Sequence, residues 1–125
     1  MKRLLLLLLF MASLTTAAKA QKVEEVDYTK CFTLSSKKWG THCGEKRSFE
    51  VRWENVCEEN MDIKYAVRGE NGWEIGIDYN VKPGEETVNS AWVCDGTGHY
   101  LWWARPSEEW MDIEFPSDDE IVKLN

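Results

Sequence analysis

Between Phe49 and Ala104 apolar residues return at every second position in short runs, and turn-forming residues separate the runs. A period of two sends successive side chains to opposite sides of an extended chain, so each run describes a strand with one apolar face. Phe49-Glu50-Val51-Arg52-Trp53-Glu54 is the first. After the link Cys57 to Asn60, the run Met61 to Arg68 puts Met61, Ile63, Tyr65 and Val67 on one side. Asn71-Gly72 predicts a tight hairpin with positive φ at both central positions. Trp73, Ile75, Ile77, Tyr79 and Val81 then continue as a third strand. Pro83-Gly84 fits the centre of a type II turn, where proline presets φ and glycine takes the positive value. Thr87 to Cys94 reads as a fourth strand and His99 to Ala104 as a fifth, ended by Arg105-Pro106. No helical period of any length interrupts this stretch.

A sheet with one apolar face needs a second layer to cover it. The expected fold is therefore all-β, a small antiparallel β-sandwich or partly closed barrel. A strand around Tyr28 to Leu34, with the ends of the meander, would supply the second layer. Ser107-Glu108-Glu109 resembles a helix start and predicts a short turn to about Met111. Residues 116–125, with Asp118-Asp119-Glu120, read as a solvated tail. The domain core spans about 28–115 within a single domain, 21–125.

The compartment is written at the other end of the chain. Lys2 and Arg3, the apolar run from Leu4, and Ala18-Lys19-Ala20 before Gln21 have the layout of a secretory signal over 1–20. The apolar stretch is far short of the roughly 20 residues that span a bilayer. A secreted or periplasmic protein without a membrane anchor is expected. Removal of 1–20 takes Lys2, Arg3 and Lys19 and no acid, leaving twelve bases against twenty-two acids, a formal charge of −10. That field repels phosphate backbones and anionic lipid, so nucleic acid is a poor partner.

Four cysteines, Cys31, Cys43, Cys57 and Cys94, follow the signal, and an even number in an oxidising compartment reads as two bridges. Four cysteines allow three connectivities. In a simple meander Cys57 and Cys94 lie at opposite ends of the sheet. Seven residues at about 3.3 Å each separate those ends by roughly 23 Å, while a bridge requires Cα atoms within about 7 Å. This favours Cys43–Cys94 with Cys31–Cys57 over the local pairing Cys31–Cys43 with Cys57–Cys94; a crossover between Cys57 and Cys94 would reverse the preference.

Disulfides take the thiols that a zinc site or a Cys-His nucleophile would need. His42 and His99 then lack a ligand set, and neither metal nor cofactor is expected. Glu108, Glu109, Asp112 and Glu114 cluster after the last strand, but a run of acids is usually a solvated face, and no Gly-x-Ser-x-Gly, glycine-rich phosphate loop or His-Glu-x-x-His occurs.

The seven tryptophans are the remaining signal. In Tyr100-Leu101-Trp102-Trp103-Ala104, neighbouring rings must face opposite ways, so one of Trp102 and Trp103 enters the core and the other lies outside. An outer ring meeting Trp92 or Tyr100 across strands would make a flat platform. Trp92, Tyr100, Trp102 and Trp103 are the candidate ligand-binding residues. Such rings beside carboxylates suit a sugar, and they equally suit a protein partner.

Asn55-Val56-Cys57, Val67, Trp73, Gly76, Pro83-Gly84-Glu85 and Tyr100-Leu101-Trp102-Trp103-Ala104 together resemble a pattern in small bacterial exported domains of unknown function. The resemblance covers about residues 50–105 and departs at Cys94. It implies a β-rich domain of a Gram-negative periplasm, and no site residue carries over. The expected function is an exported, non-catalytic binding protein with an aromatic surface for a cell-wall or other glycan. The alternatives are a protein-binding module or inhibitor of an exported hydrolase, a hydrolase using two carboxylates, and an exported structural domain.

Overall fold

A computed structural model of the chain describes residues 26–89 and 91–124; the signal segment 1–20 lies outside these. The strands are β1 Phe32–Cys43, β2 Lys46–Asn55, β3 Met61–Gly69, β4 Gly72–Val81, β5 Ala91–Cys94 and β6 Tyr100–Pro106. They form two antiparallel three-stranded sheets, β1-β2-β5 and β4-β3-β6. The all-β sandwich is as expected, and the sheets do not close into a barrel. Phe49, Val51 and Trp53 of β2 and Ile63, Tyr65 and Val67 of β3 are buried in one core. The Trp53 ring stacks on Tyr65 at 4.8 Å between centroids. Each such side chain contributes about 1.5–3 kcal/mol on burial.

The order of strands departs from a simple meander. β5 joins β2, with Ser48 opposite Cys94 and Val51 opposite Ala91, while β6 pairs with β3. Asn55 explains the switch. The Pro83-Gly84 turn closes as expected, with the Glu85 N–H donating to the Lys82 carbonyl at 3.0 Å and Gly84 at φ +79°. Gly84 then donates to the Asn55 carbonyl, Asn55 to the Glu85 carbonyl, and Thr87 to the Trp53 carbonyl. The chain leaving β4 is thus zipped onto the end of β2. The fully buried Asn55 side chain donates to the carbonyls of Glu59 and Val81 and accepts from the Cys57 N–H, tying both sheets to the link between them. This shortens the expected strand Thr87 to Cys94 to Ala91–Cys94.

Two further expectations shift. Tyr28–Cys31 is a 3-10 turn capped by Asp27, and the strand that follows is Phe32–Cys43. Irregularities between Leu34 and Ser36 and between Gly40 and Cys43 break its alternation, as bulges do. In the β3–β4 hairpin Gly69 faces Gly72, so Glu70 and Asn71 occupy the centre, and the positive φ falls on Gly72 rather than on Asn71.

β4 alternates, but from Trp73 to Ile77 its apolar side faces away from the core, and an irregularity after Asp78 returns Val81 to it. Residues opposite each other in an antiparallel pair share a face. Glu74, Gly76 and Asp78 stand opposite Val67, Tyr65 and Ile63 of the core, whereas Trp73, Ile75 and Ile77 stand opposite Arg68, Ala66 and Lys64 on the outer side. A third layer serves that side. The 3-10 turn Ser107–Glu109 forms where expected, but the segment read as a solvated tail crosses the sheet. Its helix Asp118–Val122, capped by Ser117, buries Ile121 completely. Lys64 Nζ donates to the Pro116 carbonyl at 2.9 Å and Trp73 Nε1 to the Leu124 carbonyl at 3.0 Å.

Both disulfides take the favoured connectivity, Cys31–Cys57 and Cys43–Cys94, with Cα atoms 5.0 and 5.7 Å apart. Phe32 pairs with Asn55, which sets Cys31 beside the start of the β2–β3 link. The Ser48–Cys94 register sets Cys94 at the other end of β2.

Gly76 leaves the space through which the Tyr65 ring passes, and a Cβ there would collide with the ring. Gly76→Ala is expected to destabilise the protein by about 1–3 kcal/mol. Thermal unfolding followed by circular dichroism reads this as a Tm lower by roughly 5 °C or more.

Candidate functional site

The four rings singled out in the sequence do not form one platform. Tyr100 and Trp102 both face inward from β6, nearly parallel, with centroids 6.1 Å apart. They extend the core through Tyr100–Phe49 and Trp102–Trp53 contacts at 6.4 and 6.2 Å, and Trp102 Nε1 donates to the Thr29 carbonyl. Trp103 faces the outer side, opposite Lys64, and is half-buried beside residues 112–116. Trp92 stands on the outer face of the other sheet, opposite Glu50, 48% exposed.

Trp92 does belong to a groove, with a ring that the sequence pattern assigned only to a strand. β4 and β5 are edge strands on the same side of the sandwich, and the gap between them is open. At the hairpin end it forms a groove of about 480 Å³ lined by Trp73, Trp92, Glu70, Asn71 and Glu74. Glu74 and Ile77 carry it along β4 toward Asn89. Both faces of β4 contribute to this gap, Glu74 and Gly76 from the side turned to the core and Trp73 and Ile77 from the other. Trp73 was legible as a ring beside a turn; its place in one groove with Trp92 was not, since that depends on β5 leaving the meander.

The floor and rim differ in chemistry. Below, the buried Tyr65 hydroxyl donates to Asp78 Oδ1 at 3.0 Å, and Asp78 Oδ2 accepts the Val88 N–H at 2.6 Å. Burial, and then the Asp78 charge, raises the Tyr65 pKa well above the usual phenol range, so this hydroxyl remains a donor. At the rim Lys46 Nζ donates to Glu70 Oε2 at 3.0 Å. That bond, ahead of one with Asp95, lowers the Glu70 pKa. The same Glu70–Asp95 hydrogen bond, reinforced by the Glu70 charge, raises the Asp95 pKa. The Arg68 guanidinium lies 5.6 Å from the Trp73 ring centroid.

Among the described residues no group of three or more histidine, cysteine, aspartate or glutamate side chains comes together to hold a metal, and no helix is long and apolar enough to cross a membrane. No family model, curated protein or solved structure matches this chain.

Proposed function

We propose that this chain is an exported binding protein that receives a glycan segment in the groove between β4 and β5. The observation that carries the reading is the lining of that groove by Trp73 and by the half-exposed Trp92, with Glu70, Asn71 and Glu74 beside them. A pyranose offers a C–H face that packs on an aromatic ring and a rim of hydroxyls that need carboxylate and amide partners, and the groove supplies both kinds of surface. The two disulfides fit an oxidising compartment, and a Gram-negative periplasm, with cell-wall glycan as the ligand, is the setting we favour.

The test is calorimetric titration of the protein with peptidoglycan fragments and common oligosaccharides, with Trp92→Ala and Trp102→Ala in parallel. Trp92→Ala is expected to keep its Tm and to weaken binding by about 2 kcal/mol, roughly thirtyfold. Trp102→Ala is expected to lower Tm through loss of core packing. Absence of binding to every sugar, or a Trp92→Ala variant that binds as well as the parent, overturns the proposal.

A further inference from the structure

A second hollow, of about 570 Å³, lies on the outer side of sheet β4-β3-β6, between residues 26–29, the edge strand β6 and residues 112–116. Trp103, Ile113 and Phe115 contribute its apolar lining and Asp27, Asp112 and Glu114 its carboxylates; among the described residues no lysine, arginine or histidine lines it. Two bases on this face beside the hollow are already engaged. Lys64 pairs with Asp118 at 2.7 Å and Arg105 with Asp62 at 3.0 Å. Asp27 accepts from the Thr29 N–H and feels Lys30, but Asp112 and Glu114 are exposed and have no ion-pair partner within 4 Å among the described residues. Directly before Asp112 in the chain, Trp110 and Met111 stand 57% and 75% exposed. Large apolar side chains held in water beside a hollow mark a contact surface, and tryptophan is among the residues most enriched where binding energy concentrates.

We infer that this hollow docks a basic peptide segment of a partner protein. An arginine or lysine of the partner lies against Trp103 with its charge toward Asp112 and Glu114, and apolar neighbours cover Trp110 and Met111. Charge decides between occupants. A second copy of this chain would bring the same acidic rim against itself, whereas a basic segment finds opposite charge without a competing base.

The probe is a fluorescein-labelled peptide alternating arginine and leucine, followed by anisotropy against the full protein, with a control peptide carrying glutamate for each arginine. The basic peptide is expected to bind saturably and to be released by salt. The double variant D112N/E114Q, altered only at exposed positions, is expected to weaken it by about tenfold, while Trp92→Ala leaves it unchanged, which separates this surface from the glycan groove. No binding of the basic peptide, equal binding of the acidic control, or full affinity in the double variant overturns the inference. So does self-association that the peptide does not compete with, which would assign the surface to a second copy.

Discussion

Asp62→Ala is expected to be among the most damaging single substitutions in the protein, destabilising it by about 3–5 kcal/mol. Asp62 is nearly inaccessible on the outer side of β3. Its carboxylate accepts from Arg105 Nε at 3.0 Å, Ser107 Oγ at 2.8 Å and the Asn80 N–H at 2.9 Å. Arg105, also buried, donates to the Ile113 carbonyl and lies 4.2 Å from the Phe115 ring centroid. Without Asp62 the guanidinium keeps its burial and loses its counter-charge, and two further donors lose their acceptor. The pair costs desolvation, so Arg105→Met combined with Asp62→Leu should be less harmful than the sum of the single effects. Urea unfolding of Asp62→Ala, and of Asp62→Leu, Arg105→Met and their combination, measures this. A loss below about 1 kcal/mol for Asp62→Ala would show that the outer layer does not depend on the pair.

The second large effect concerns the Cys43–Cys94 bridge. It closes a loop across a sequence separation of 51, and in the chain-entropy account such a loop restricts the unfolded chain by about 4 kcal/mol. Its removal has a local consequence as well. β5 is four residues long and brings Ala91 and Val93 to the core beside Phe49. Cys43→Ser with Cys94→Ser is expected to cost about 4 kcal/mol and to free β5 from β2. The corresponding double change at Cys31–Cys57, separation 26, is expected to cost about 3.5 kcal/mol. Denaturant midpoints and near-ultraviolet circular dichroism report both. Unchanged stability in the Cys43/Cys94 double variant would mean that strand pairing alone holds this edge.

What the sequence disclosed and what it hid follow from the range of each interaction. β2 and β3 were readable because one face of each is continuous core, and the Pro83-Gly84 turn because its backbone demand is local. The disulfide pairing was reached from a meander that does not exist; it held because β5, although it leaves β4 and pairs directly with β2, still runs antiparallel to it. β1 escaped notice where irregular pairing disrupts its period. The alternation of β4 was correct and silent about direction: nothing local says that Trp73, Ile75 and Ile77 face a helix some forty residues later. The same gap divided the aromatic platform, since the pattern showed that Trp102 and Trp103 point oppositely without showing which sheet Trp92 borders. Asn55 was invisible as a hub because its partners, Glu59 and Val81, are set by tertiary placement.

The third layer governs how the chain must fold in time. Lys64 meets Pro116 across 52 residues and Trp73 meets Leu124 across 51, so the outer face of β3 and β4 is finished by residues made long after it. Such distant closure raises contact order and slows folding. A chain made amino end first therefore holds a half-dressed sheet until residue 124 has followed. The delay leaves Trp73, Ile75 and Ile77 as the surface that a holding chaperone would meet.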